Sequence, residues 1–186
     1  MRRLVLAVLV VSSLTVVAAC SQPPAKERGQ AEGAIAAARA ASAEVYAADE
    51  LLAAEAALAR YDEAVLQKDY RQALNAALDA RDRGYEAVKR ASTAKAEARG
   101  QAERLVIALD TLSATINNRL SGAATPRITG ANAQQLRKAV ATSAGALQEA
   151  RAAIADERYP VAITRLEAAL AALQKEFDAV TRRSRP

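Results

Sequence analysis

Residues 69–120 read DYRQALNAALDARDRGYEAVKRASTAKAEARGQAERLVIALDTLSATINNRL, and the spacing of their apolar side chains decides the fold. Tyr70, Leu74, Leu78, Tyr85 and Val88 share one helical face, continued by Ala91, Ala94, Ala98 and Ala102 and then by Leu105, Leu109, Leu112, Ile116 and Leu120. Such recurrence is the period of an α-helix. Asp69 followed by Gln72 matches a capping box that opens it. One helix of about 51 residues is therefore expected from Tyr70 to Leu120, roughly 75 Å long at 1.5 Å per residue. Gly84 and Gly100 are the places it is expected to bend, each costing about 1 kcal/mol relative to Ala.

Working outward, the rest of the chain carries the same period and no strand alternation, in a composition rich in the strong helix formers Ala, Glu, Arg, Leu and Gln. A first helix is expected from Gln30 to Tyr46, with Ile35, Ala38, Ser42 and Tyr46 on one face. A second starts at Asp49 as N-cap, places Leu51, Leu58, Tyr61 and Val65 inside, and ends near Lys68. Ser121 to Ala131, with Gly122, Pro126 and Gly130, is the internal stretch with loop chemistry and is expected to separate two halves. Asn132, with Gln135 in capping-box register, opens a fourth helix around Leu136, Val140, Leu147 and Ile154. Pro160, whose missing N–H suits a first helical turn, opens a fifth. Its seam is Ile163, Leu166, Leu170, Leu173, Phe177 and Val180, at heptad spacing. The fold class is all-α, an elongated set of antiparallel hairpins or a bundle. Much of the 52% hydrophobic content is Ala, which buries little area per residue, so close helix pairs rather than a thick core are expected.

Two stretches align at an offset of 89 residues: 64–74, AVLQKDYRQAL, and 153–163, AIADERYPVAI. Leu58 and Leu147 keep that offset, while Tyr85 to Val88 matches Phe177 to Val180 at 92. The shared unit is Ala-aliphatic, a polar turn, Tyr, then Ala-aliphatic. The turn reverses the chain, the Tyr ring wedges the corner, and the following Ala lets helices approach. A duplicated hairpin and the ordinary convergence of Ala-rich hairpins both account for the match.

At the start of the chain, Arg2 and Arg3 precede an apolar run from Leu4 to Ala19, interrupted only by Ser12, Ser13 and Thr15. That is the layout of a cleaved signal peptide over residues 1–19, shorter than the roughly 20 residues of a membrane span. Val17-Ala18-Ala19-Cys20 resembles the lipobox of bacterial lipoproteins. The resemblance implies that the Cys20 thiol receives a diacylglycerol, that cleavage precedes Cys20, and that its amine is acylated. Each buried methylene adds about 0.8 kcal/mol, so two or three chains anchor stably where one does not. Cys20 is the only cysteine, which excludes an internal disulfide. Residues 20–30, with Pro23, Pro24 and Gly29, are expected to form the lipidated Cys and a flexible tether. The first helical region is then 31–120, the loop 121–132 and the second hairpin 133–183. By the same resemblance, Ser21 rather than Asp after the Cys implies sorting to the outer membrane, facing the periplasm.

The full chain carries 26 basic and 21 acidic residues, and loss of Arg2 and Arg3 with the signal leaves +3. This is a mild surface charge, not a nucleic-acid footprint, and one Phe with no Trp offers no platform for stacking bases. His is absent, so metal sites of imidazole and thiolate are excluded. No phosphate-cradling loop or paired catalytic carboxylates can be picked out. No cofactor and no catalytic residue is assigned, and a non-enzymatic protein is expected.

Residues 30–94 resemble a domain of unknown function found in bacterial envelope lipoproteins, some of them joined to OmpA-like, peptidoglycan-binding domains. The likeness rests on Ala34-Ile35 and Ala38, Tyr46-Ala47-Ala48-Asp49, Leu58-Ala59, and Lys68-Asp69-Tyr70 with Ala73, Ala76, Ala77 and Ala80. The family tends to have Ala-Pro-Glu where this chain has Ala47-Ala48-Asp49. The resemblance implies an envelope protein and brings no activity or site residues. Two functions follow as expectations: a lipid-anchored structural or adaptor protein with an envelope or cell-wall partner, or a periplasmic peptide- or ligand-binding, chaperone-like module. For the second, Arg81, Arg83, Lys89 and Arg90 are candidate groove residues, against the reading as a solvated face. Arg182, Arg183 and Arg185 are read as complementing a helix dipole, worth about 0.3–1 kcal/mol, ahead of an anionic-surface patch.

Overall fold

The computed structural model describes residues 22–123 and 128–183. These contain six α-helices and no strand: α1 Ala25–Ala40, α2 Ala43–Tyr46, α3 Ala48–Leu66, α4 Tyr70–Ser121, α5 Gly130–Ala155 and α6 Tyr159–Arg183. The fold is all-α, as its periodicity requires. The chain divides into two compact units between Ala94 and Lys95, inside α4, and not at the loop where loop chemistry had placed the boundary. The reason is packing. Leu109 and Ile116 of α4 share one core with Leu136 of α5 and Leu166 and Leu173 of α6. Ile128 is buried beside the loop and its N–H donates to the Arg119 carbonyl at 3.3 Å, so the loop turns the chain within the second unit.

In the first unit, α1 and α3 pack with the beginning of α4 through very small side chains. Ala31, Ala34, Ala38, Ala54, Ala57, Ala80, Ala87 and Ala91 are all buried. This corrects the expected seam of α4. Leu74 and Tyr85 lie exposed, while the stripe Ala73, Ala77, Ala80, Gly84, Ala87 and Ala91 faces inward. Dispersion explains the choice, because backbones that approach over Ala and Gly gain main-chain contacts that a larger residue would hold apart. The helix runs unbroken through Gly84, which is a point of close approach. A Cβ there would lie 2.8 Å from the Ala34 Cβ and 3.0 Å from its carbonyl carbon.

Three boundaries differ from the sequence reading. The tether is shorter, because α1 begins at Ala25 behind Pro24. Arg28 holds it by pairing with Glu32 one turn on and with Asp62 of α3 at 3.4 Å, and by stacking over the Tyr61 ring at 5.9 Å. The expected helix to Tyr46 breaks at Ala41-Ser42, where Ser42 turns left-handed (φ 63°) and burial of Ala43 and Ala47 fixes the new direction. Asp49 then falls in the first turn of α3 behind Ala47, not at its N-cap. Likewise α5 begins at Gly130 behind Thr129, and Asn132 sits inside the helix as a half-buried residue. The Asp69 cap is present, its carboxylate accepting from the Gln72 N–H at 2.9 Å.

The 89-residue offset is exact in backbone hydrogen bonding. At the α3–α4 turn the Asp69 N–H donates to the Ala64 carbonyl and the Lys68 N–H to Val65. At the α5–α6 turn Arg158 donates to Ala153 and Glu157 to Ile154. Both are Schellman caps, with Lys68 and Glu157 each left-handed at φ 59°. The buried register repeats too, in the pairs Ala54/Ser143, Tyr61/Ala150, Ala64/Ala153, Ala73/Ala162, Ala77/Leu166, Gly84/Leu173 and Ala91/Val180. The offset thus stays at 89 through α4 and α6, and the 92-residue match is incidental: Tyr85 is exposed and its counterpart at 89 is Gln174. Glycine suits the left-handed position, where a side chain costs about 1–2 kcal/mol. Lys68→Gly is expected to raise unfolding stability by about 0.5–1 kcal/mol after the extra freedom of the unfolded chain is deducted. Glu157→Gly should gain less, because it loses the Glu157–Lys95 bond. Urea denaturation measures both, and a destabilised Lys68→Gly would contradict the cap geometry.

Candidate functional site

With the hairpin aligned on itself, the same face can be compared in the two units. In the first unit the face between α3 and α4 carries Glu50, Asp79, Arg83 and Arg90. Arg60 pairs with Asp79 at 2.7 Å and Arg90 with Glu50 at 3.7 Å, each bridging the two helices, and Arg83 adds to Asp79 at 2.9 Å. A hollow of about 260 Å³ remains beside Asp49, Glu50, Ala53, Arg83 and Glu86. In the second unit the positions of those four charges hold Ala139, Ala168, Ala172 and Ala179. The first three of these line a groove of about 530 Å³ between α5 and α6, walled by alanines with Leu173 at its floor. Its ends are closed by polar crossings, Gln135 donating to Glu176 and Arg165 pairing with Glu149. Lys138 stands on its rim and makes no ion pair among the described residues. The hydroxyls of Thr142 and Ser143 are already committed, to the carbonyls of Lys138 at 3.1 Å and Val140 at 2.8 Å. The groove thus offers apolar contact, with Lys138, Arg165 and Glu176 as its charged lining.

The residues singled out from the sequence are placed as follows. Cys20, and with it the expected lipidation site and signal segment, lies outside the described residues, as does Arg185. Arg81, Arg83, Lys89 and Arg90 do not converge on a pocket. Arg81 is half-buried and the other three exposed, and each is paired, with Asp82 at 2.8 Å, Asp79 at 2.9 Å, Glu86 at 3.9 Å and Glu50 at 3.7 Å respectively. Arg182 and Arg183 sit exposed in the last turn of α6, where they complement its dipole. Among the described residues no cluster of His, Cys, Asp or Glu is arranged to hold a metal ion, and no helix is long and apolar enough to cross a membrane. The groove itself was missed by the sequence reading. Its signal was available at the 89-residue offset, in alanines standing where the first hairpin has Glu50, Asp79 and Arg83.

Electrostatics outside the groove are structural. The Lys95 ammonium donates to the Glu157 carboxylate at 2.6 Å and, with Arg99 nearby, holds its pKa below the usual glutamate range. A depressed carboxylate contributes stability above its unfolded pKa and loses it as pH falls through the folded one. Glu157 is therefore expected to titrate below other glutamates by NMR, and Lys95→Ala to return it to the ordinary range. An unchanged midpoint in Lys95→Ala would contradict this. Burial pushes the Tyr61 hydroxyl upward against the nearby Arg28 cation, consistent with its place under α1.

The class defined by this geometry is an all-α protein of two units, the first built from α1, α2, α3 and the start of α4 and the second from the rest of α4 with α5 and α6, with an alanine-walled groove in the second. No protein-family model, curated protein or solved structure matches the chain.

Proposed function

We propose that the protein is a lipid-anchored, non-catalytic element of a bacterial cell envelope that acts structurally or as an adaptor, seating another protein chain on a helical face. The observation that carries this reading is the α5–α6 groove: an apolar, alanine-walled channel in one hairpin where the other hairpin bridges the same face with ion pairs and keeps a smaller hollow. Small residues along a groove favour the close approach of a helix, because they let backbones meet at short range. The segment Arg2 to Ala19 followed by Cys20 supports membrane attachment through acyl chains, and Ser21 supports the outer membrane, facing the periplasm, as its destination. The resemblance of residues 30–94 to an envelope domain of unknown function agrees with that compartment.

The other reading, a periplasmic peptide- or ligand-binding, chaperone-like module, draws on the same groove. It is the weaker, since Arg165 is paired with Glu149 and both groove hydroxyls are spent on backbone carbonyls, leaving few handles for a polar ligand. Crosslinking in intact envelopes followed by detergent extraction tests the proposal. A discrete adduct with a protein chain is expected; recovery of the free monomer alone after exhaustive crosslinking would contradict it.

A further inference from the structure

Three helix termini meet at one end of the first unit: the start of α1 at Ala25, the end of α3 at Leu66 and the start of α4 at Tyr70. Gln22 and Glu27 border the same hollow of about 810 Å³ as Lys68, Arg71 and Leu74, so the chain enters the unit against the α3–α4 turn. Its entry is fixed by Pro24, which at φ −75° and ψ 70° centres an inverse γ-turn closed by the Ala25 N–H donating to the Pro23 carbonyl at 2.8 Å. Cys20 precedes Gln22 by two residues, and two residues of fully extended chain reach only about 7 Å. Acyl chains on Cys20 would therefore bring this end of the unit to the bilayer surface. Leu66 stands there 83% exposed, more than any other large apolar side chain among the described residues. We infer that this end is a membrane-docking surface, with Leu66 seated in the lipid and the exposed Lys68 and Arg71 beside it reaching the phosphates.

The other hairpin shows that the turn itself does not require these residues. Its cap has the same backbone hydrogen bonds, yet where the first turn has Leu66, Lys68 and Arg71 it has Ala155, Glu157 and Pro160. Net charge is not the attraction, because Glu27, Glu63 and Asp69 stand at the same end as Lys26, Lys68 and Arg71 and balance them. What selects the bilayer as occupant is the covalent tether, which holds the surface within a few ångströms of lipid and makes docking an intramolecular event that a weak contact can sustain. Leu66 supplies that contact, and the long side chains of Lys68 and Arg71 can lay their apolar stems along the lipid while their charged heads stay at headgroup level. Leu52, at 62% exposure, lies 14 residues earlier in α3, about 21 Å away at 1.5 Å per residue, and is out of reach when the end of the unit docks. The inference deepens the lipid-anchored reading proposed above and rests on it.

The experiment places a photo-crosslinking residue at Leu66, and in a separate variant at Leu52, in the full chain, irradiates intact cells, and reads peptides of the purified protein by mass spectrometry. The expected product at Leu66 is a peptide heavier by one phospholipid, with none at Leu52. Both side chains project largely into solvent, so helix content and melting temperature should not change in either variant. Leu66→Asp, with the crosslinker moved to Leu74, should lower the lipid adduct about tenfold, as loss of one buried leucine contact does, while leaving fatty-acid labelling and membrane recovery intact. A yield at Leu74 that Leu66→Asp leaves unchanged overturns the docking. Equal lipid adducts at Leu66 and Leu52 overturn it as well, and so does a protein adduct at Leu66 in place of lipid. No lipid adduct at Leu66 in a chain that still carries fatty acid overturns the docking and leaves the anchor standing, whereas a chain without fatty acid overturns both.

Discussion

Leu173→Ala is expected to destabilise the second unit by about 2–5 kcal/mol, the usual cost of deleting a buried leucine when the surrounding helices relax only partly. Leu173 is 1% exposed and belongs to a core drawn from three helices, with Leu109 and Ile116 of α4, Leu136 and Leu147 of α5, and Leu166 of α6. Alanines dominate the other unit, whereas leucines, with Ile116 and Val180, form this core. Urea unfolding followed by circular dichroism measures the loss. Hydrogen exchange should localise it to α5, α6 and the part of α4 beyond Lys95. A cost below about 1 kcal/mol would mean that Leu173 is not packed as described.

The residue at the same place in the sister hairpin is Gly84, and enlarging it has the opposite mechanism and a comparable effect. Gly84→Leu is expected to cost about 1–3 kcal/mol or more, because the obstacle a side chain would meet is backbone. The Ala34 Cβ, the Ala34 carbonyl carbon and the Ile35 nitrogen lie at 2.8, 3.0 and 3.1 Å from where a Cβ would stand. Replacing a mid-helix glycine returns about 1 kcal/mol of helix propensity, which is too little to offset displacement of α1. The variant should therefore lose hydrogen-exchange protection around Ala31, Ala34 and Ala38 first. Higher stability in Gly84→Leu would show that α1 does not approach α4 closely.

These two residues also mark how far the sequence could be read. The second unit was legible, because its seams are leucines at helical spacing: Leu109, Ile116, Leu136, Leu166 and Leu173 are all buried as expected. In the first unit the same rule misled. Leu74 and Tyr85 stood out as the large apolar residues, yet alanines and a glycine form the contact, and periodicity cannot single out the buried alanines in a helix whose faces nearly all contain alanine. The break at Ser42 was illegible for a similar reason, since neither Gly nor Pro marks it and tertiary burial of Ala43 and Ala47 sets it. The hairpin turns were legible through Asp69, Tyr70 and Tyr159, although not their left-handed Lys68 and Glu157. The groove was hidden because it is defined by what is missing, the charges that its counterpart keeps at Glu50, Asp79 and Arg83.

Attachment at Cys20 is the claim on which the envelope role depends, and it is tested most directly by labelling cells with a radioactive fatty acid while they express the wild-type chain or Cys20→Ser. The serine hydroxyl cannot replace the thiol in diacylglyceryl transfer, and lipoprotein-type cleavage depends on the modified cysteine. Wild type should take up label and fractionate with the outer membrane. Cys20→Ser should take up none, and should either remain uncleaved in the inner membrane or appear free in the periplasm. Equal labelling and equal outer-membrane recovery of the two chains would contradict the anchor.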